Sequence, residues 1–298
     1  MSGLSGILNI YKEKGYTSSD AVSVVRKLCG QKAGHTGTLD PQAEGVLPVC
    51  IGKATKIADY IDGQKCYRAE LKLGITTDTD DLTGEILSES PVNVSLDTLK
   101  NTALQFLGDT LQIPPMYSAV KIGGKKLYEL ARAGKTAERT PRTISISKIS
   151  ILKYDPDTST AIMDITCSKG TYIRTLCSDI GRVLNCGGCM GDLVRTQSGP
   201  FHIEGSVTLG RLKEYSDENQ IGKLVIPIGD ILPYNTVNAD LAQEKRLING
   251  SPICVKDCVN GIGTIEGELV FLSLLNKNIG IYVREGDVFK PRVMLTGD

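Results

Sequence analysis

Gly34-His35-Thr36-Gly37-Thr38-Leu39-Asp40-Pro41-Gln42-Ala43-Glu44-Gly45-Val46-Leu47-Pro48-Val49 is the stretch on which the reading of this chain turns. Three glycines and two prolines interrupt it, which predicts a structured loop rather than a helix or a regular strand. It holds one of the chain's two histidines and, five residues on, an aspartate before a proline. A residue before proline is pushed towards extended backbone, so Asp40 should project clear of any helix. A turn-rich connector with a solvated aspartate is the plain interpretation. Polar groups fixed on glycine and proline geometry are equally where function tends to sit.

Upstream, Gly6 to Lys12 is predicted as a first strand, and Thr17-Ser18-Ser19-Asp20 offers N-caps for a helix closed by Gly30. Downstream, Cys66 to Leu73 alternates, with Tyr67, Ala69, Leu71 and Leu73 on one face and Arg68, Glu70 and Lys72 on the other. That is a half-buried strand, and periodicity alone leaves Tyr67 as an ordinary core aromatic. Pro114-Pro115, Gly123-Gly124 and a short amphipathic run then predict an insertion outside the sheet. Ala161 to Ser168 alternates again, and Lys169-Gly170-Thr171-Tyr172-Ile173-Arg174-Thr175 turns into a helix stopped by Gly187-Gly188. Arg174 thus falls in a first helical turn, where the macrodipole favours anions, so a negative group should compensate it. After Pro227 and Pro233 short apolar runs are separated by Asn and Gly. A helix over 238–249 and strands near 253–255, 268–275 and 279–283 suit a small β-rich module.

The first of these strings resembles the signature loop of the bacterial B-type tRNA pseudouridine synthases, G-H-x-G-x-L-D-P-x-A-x-G-x-L-P, and every fixed position is met. Tyr67-Arg68-Ala69 with Thr77-Asp78-Thr79-Asp80 resembles that family's second motif, and Lys169 to Thr175 its third. The resemblance implies an α+β pseudouridine synthase fold with a largely antiparallel central sheet and a catalytic cleft. It implies residues 1–232 as the catalytic domain, a mobile basic thumb at about 114–150, and a module at 235–298 similar to an RNA-binding PUA-type domain. It also implies roles: Asp40 as nucleophile, Tyr67 stacking on the target base and assisting proton transfer, and Arg174 pairing with Asp40. Leu193 would pack on the base, with His35 and Tyr172 among the substrate contacts. Where the family's first strand ends in Lys-Pro, this chain has Lys12-Glu13.

Lys and Arg balance Asp and Glu at 34 each, so a polyanion-binding surface requires segregated charge. Residues 121–153 supply it, with nine basic residues against Glu129 and Glu138, while acids gather at Asp78, Asp80, Asp81 and Glu85. Lys121, Lys125, Lys126 and Arg132 are therefore expected on the RNA backbone, and the resemblance at the end of the first strand adds Lys12 to them. No run of ~18 apolar residues suggests a membrane span, and the N-terminal residues lack the basic and apolar regions of a signal peptide. Nine cysteines, an odd number in a chain of 298, fit reduced thiols in the cytoplasm better than a disulfide framework. Cys186-Gly187-Gly188-Cys189 has zinc-like spacing, with Cys254 and Cys258 as a remote second pair, but the first pair lies at a helix stop. No metal site is expected, and no phosphate-binding or dinucleotide loop is present.

Converting uridine to pseudouridine breaks the N-glycosidic bond and rejoins the uracil through C5, with no net redox change, so no cofactor is expected. The expected activity is isomerisation of uridine 55 in the T loop of tRNA, by a monomer needing no obligatory protein partner. The alternative is a non-catalytic tRNA-binding or RNA-folding protein, which would have no need of Asp40, Tyr67 and Arg174 together.

Overall fold

Strand β1 (Gly6–Lys12) sends Leu8 and Ile10 into one apolar cluster and Ile7 into another, so both its faces are covered. The computed structural model describes residues 3–296; Met1, Ser2, Gly297 and Asp298, which the sequence-based domain bounds include, lie outside them. Helix α1 (Ser18–Cys29) begins at a capping box of Thr17 and Asp20 and ends at Gly30 in the left-handed region, φ 61°. The quoted stretch is only partly a loop. β2 (Ala33–His35) precedes the turn, and β3 (Glu44–Ile51) takes up its second half, Pro48 included. The loop expectation for 44–49 is corrected by burial. Gly45 to Ile51 are all buried, and β3 lies between β1 and the later strand β12, so tertiary packing overrides the breakers.

Next come β4 (Lys65–Leu73), a small β5 (Ile75–Thr77) and β6 (Ile86–Glu89) pair, α2 (Leu96–Leu104) and β7 (Gly108–Gln112). The inserted segment carries β8 (Lys121–Ile122) and β9 (Lys125–Lys126), a two-stranded ribbon of its own, then α3 (Leu127–Arg132). It ends earlier than the sequence suggested. β10 (Arg142–Asp155) already pairs with β7 from Arg142, opposite Gln112, so 142–150 belong to the main sheet. β11 (Thr160–Cys167), α4 (Ile173–Val183), β12 (Gly188–Ser198), β13 (Phe201–His202), β14 (Val207–Thr208) and α5 (Leu209–Asp217) complete the unit.

The main sheet runs β14-β1-β3-β12-β4-β11-β10-β7, with β2 beside β3 and β13 beside β12. Two ladders, β1–β14 and β3–β12, are parallel and the others antiparallel. The expected largely antiparallel sheet is therefore what the chain forms. Its main core joins alternate residues of β4 and β11 to Ile173, Leu176 and Ile180 of α4 and Val22 and Val25 of α1.

The C-terminal module is a second sheet of β15 (Asn235–Ala239), β16 (Ile253–Cys254), β17 (Cys258–Val259), β18 (Leu269–Leu274), β19 (Lys277–Glu285) and β20 (Val288–Met294). The helix expected at 238–249 shrinks to α6 (Glu244–Ile248), because Val237 and Ala239 alternate into the module's core as strand residues. A third apolar cluster joins Ile7, Val46 and Ile57 to Phe271, Ile281 and Val293, so the module is packed against the first unit.

Candidate active site

Asp40 is held by fixing the backbone on both sides of it. Ser18, at the start of α1, accepts from Leu39 N at 2.8 Å and donates to Leu39 O at 3.0 Å. After Asp40, the Pro41 carbonyl accepts from Gly15 N at 2.8 Å and from Lys12 Nζ at 3.3 Å. Before it, Arg195 donates to the carbonyls of Gly37 (3.0 Å) and Thr38 (3.2 Å), and its Nε reaches Val46 O at 2.7 Å. Gly45, at φ 104°, lets this happen: a Cβ there would stand 2.3 Å from the Arg195 carbonyl.

Arg174 lies at the second position of α4 with its side chain 5% exposed, while the Asp40 side chain is 41% exposed. Arg174 Nε meets Asp40 Oδ2 at 2.9 Å and Asp81 Oδ2 at 3.7 Å. Its other nitrogens donate to Thr79 O (3.0 Å) and Tyr117 O (2.7 Å). The compensating anion foreseen for this arginine is thus a pair of carboxylates. Asp81 is itself fixed by Thr79 Oγ1 at 2.8 Å and Thr83 N at 2.9 Å. A buried guanidinium with every arm engaged presents Asp40 in one orientation. The contact also sets a positive charge directly against the Asp40 carboxylate.

A cavity of about 270 Å³ opens over this pair, lined by Asp40, Tyr67, Tyr172, Arg174 and Leu193 among others. Five residues singled out from the sequence therefore converge on one space. Tyr67 lies on β4 opposite Arg195 and Ile165, and burial raises its phenol above the ordinary value. Gln112 holds Tyr172, accepting from its N–H at 2.8 Å and donating to its carbonyl at 3.0 Å. His35 lies outside the lining, at the end of β2, where its Nδ1 is buried without a partner and burial lowers its basicity.

Lys12 requires correction. It is 0% exposed, and its ammonium donates to the carbonyls of Tyr16 (2.7 Å), Glu13 (3.2 Å) and Pro41 (3.3 Å), so it cannot meet an RNA phosphate. Desolvation drives its basicity down to about 8, with the Asp40 charge opposing. Lys121, Lys125 and Arg132 stand exposed on the insertion, and Lys126 and Arg132 lie over the Tyr128 ring at 5.4 and 5.5 Å.

Three residues at or beside the cavity carry no site expectation from the sequence. Asp81 counted only as one balancing acid, and Arg195 lay two residues from Leu193 without a role. Lys65 preceded the alternating strand. A run of acids beside Thr-Asp-Thr was the only available signal for the first; nothing local marks a cation as buried. Among the described residues, no cluster of three or more His, Cys, Asp or Glu is placed to hold a metal ion, and no helix is long and apolar enough to cross a membrane.

This arrangement has relatives. Residues 26–173 match the family model for the N-terminal domain of TruB family pseudouridylate synthases, and 174–232 that for the tRNA pseudouridylate synthase B C-terminal domain. The chain is 50% identical to tRNA pseudouridine synthase B of Clostridium novyi, over 98% of this chain and 100% of that protein. It is 47% identical to that of Alkaliphilus oremlandii, over 93% and 92%. A chain of a solved Cbf5–Nop10–Gar1 complex superposes with a TM-score of 0.73 at 25% identity, covering 98% of this chain and 85% of that one. The chain therefore belongs to the TruB family of pseudouridylate synthases, as a tRNA pseudouridine synthase and an isomerase.

Proposed function

We propose that the enzyme isomerises uridine 55 in the T loop of tRNA, with the base flipped out of the loop and Asp40 as nucleophile. The observation that carries this reading is the 2.9 Å Arg174–Asp40 contact at the cavity shared with Tyr67 and Leu193. The reaction breaks N1–C1′ and makes C5–C1′; a proton leaves C5 and one is gained at N1. Asp40 supplies the covalent assistance that splits this exchange into two steps. Arg174 keeps it aimed. Tyr67, its phenol kept protonated by burial, stacks on the uracil and serves the proton transfer. Leu193 packs on the base, and Tyr172 completes the wall.

Extruding the base costs a few kcal/mol, offset in part by stacking on Tyr67. His35 takes a place in the opened T loop. Lys121, Lys125, Lys126 and Arg132 meet phosphates of the T arm, and the C-terminal module adds a second RNA contact. One copy of the chain suffices, because every named group comes from it.

The test is pseudouridine mapping in an unmodified tRNA transcript with chelator present. One new pseudouridine, at position 55, is expected. Asp40→Asn should abolish turnover while RNA affinity changes by less than about tenfold, or ~1.4 kcal/mol. Retained turnover in that variant, or modification at another uridine, overturns the respective half of the reading.

A further inference from the structure

The cavity has a charge imbalance that the chemistry above does not use. Lys65, Lys169, Arg174 and Arg195 line it against two acids, Asp40 and Asp62. Arg174 is paired with Asp40, Lys169 reaches Asp62 at 3.2 Å, and Arg195 is committed to carbonyls. Lys65 is the remaining cation. Its ammonium donates to Ser198 Oγ at 2.7 Å and, among the described residues, forms no ion pair. An ammonium has three donors, so two are left for a ligand. Half-buried and beside two other cations, it has its basicity pushed down to about 8, by desolvation first and by Arg195 next. Asp62 opposes that shift, but it is the partner of Lys169, so among the described residues no carboxylate contacts the Lys65 ammonium and the site is open to an anionic ligand.

The strand fixes where that site lies. Lys65 and Tyr67 are two apart on β4 and so share a face. Across the ladder to β12, Lys65 stands opposite Ser198 and Tyr67 opposite Arg195. The separation along the strand is about 6–7 Å. That is the span of a ribose between a base and its phosphate.

We propose that Lys65, steadied by Ser198, is the anchor for a phosphodiester adjoining the nucleotide whose base stacks on Tyr67. The inference rests on the pseudouridine reading and adds the group that fixes the ribose between base and phosphate. With the base on Tyr67 and the phosphate on Lys65, the sugar cannot drift while the uracil is detached and turns. Lys65 is a positioning group for the reacting nucleotide, and its phosphate contact separates it from a mere strand clasp.

The experiment uses the full-length enzyme and a T-arm stem-loop. Kd and kcat/KM are measured over a range of KCl for the wild type, Lys65→Gln and Lys65→Arg. Stem-loops carrying one uncharged methylphosphonate 5′ or 3′ of the target uridine are measured alongside. Lys65→Gln should lose about tenfold or more in kcat/KM, and its salt slope should shrink by about 0.7, one phosphate contact on a single strand. Lys65→Arg should keep most activity. One of the two methylphosphonates should depress the wild type as the glutamine variant does, and add nothing in that variant. Unchanged activity in Lys65→Gln overturns the proposal. So does a loss with an unchanged salt slope and indifference to both methylphosphonates, which would make Lys65 a clasp between β4 and β12. Failure of the wild type to form pseudouridine would instead strike the functional reading.

Discussion

Lys12, Arg174 and Arg195 are at most 4% exposed, whereas Lys121, Lys125 and Arg132 on the insertion stand in solvent. The side chains are of the same kinds, and the difference in burial gives them different work. A buried cation has lost its water and must replace it with directed contacts, so each of the first three is spent on named carbonyls or carboxylates around Asp40. Exposed cations keep their water and act through a screened field that a polyanion feels at a distance. One set holds a geometry, and the other is the set proposed to gather substrate.

The sharpest way to break this contrast is Arg174→Lys, which keeps the charge and loses the fork. An ammonium cannot reach Asp40, Asp81, Thr79 O and Tyr117 O together. The expected result is a fall in kcat of about 10²–10³-fold with tRNA affinity nearly unchanged, read by single-turnover and filter-binding measurements. Full activity would mean that charge alone suffices and that orientation is set elsewhere. The complementary change, Lys121, Lys125 and Arg132 together to Gln, should act in the opposite sense. The salt slope of tRNA binding should drop by roughly two to three, with the rate at saturating tRNA little altered. A large loss in that saturated rate would show the insertion to be part of the chemistry. The bond from Arg174 to the Tyr117 carbonyl is the contact through which that would happen.

How much of this was legible follows the same division. The Asp40–Arg174 pair could be foreseen because both residues sit in distinctive strings and a cation in a first helical turn demands an anion. β1, α1 and the alternating strands followed from short-range pattern. Lys12 was misplaced because a resemblance at the end of a strand does not say whether its side chain is buried. Its burial arises from the return of Pro41 and Tyr16 over it, a tertiary event with no local trace. Arg195 went unassigned for the same reason, since its partners lie about 150 residues away. Glycine and proline suggested a loop where β3 runs, because the burial of that strand between two neighbours outweighs local propensity. The charge of the insertion was readable, and its end was not, since Arg142 and Lys148 are basic residues of a sheet strand.

The smallest expected effect is a pH signature of burying cations at all. Desolvation lowers Lys12 and Lys65 from 10.5 to about 8. Between those values the unfolded chain binds protons that the folded chain has released, so these two lysines make stability rise with pH, each by at most about 1.4 kcal/mol per pH unit. Buried thiols pull the other way. Burial raises Cys29, Cys167 and Cys189 from 9.0 to about 11, Cys50 and Cys258 to about 12, and Cys177 further still. Above pH 9 the unfolded chain sheds those protons and the folded chain keeps them, so stability falls. Six thiols outnumber two lysines. The denaturant midpoint should therefore climb slightly from pH 7 to about 8.5 and drop by pH 10. Lys65→Gln, which removes one of the two lysines, should flatten the climb and leave the drop intact. A midpoint with no climb between pH 7 and 8.5 in the wild type would mean that Lys12 and Lys65 are not desolvated. The support assigned to Lys12 beneath Pro41 would then have to come from backbone contacts such as Ser18 to Leu39.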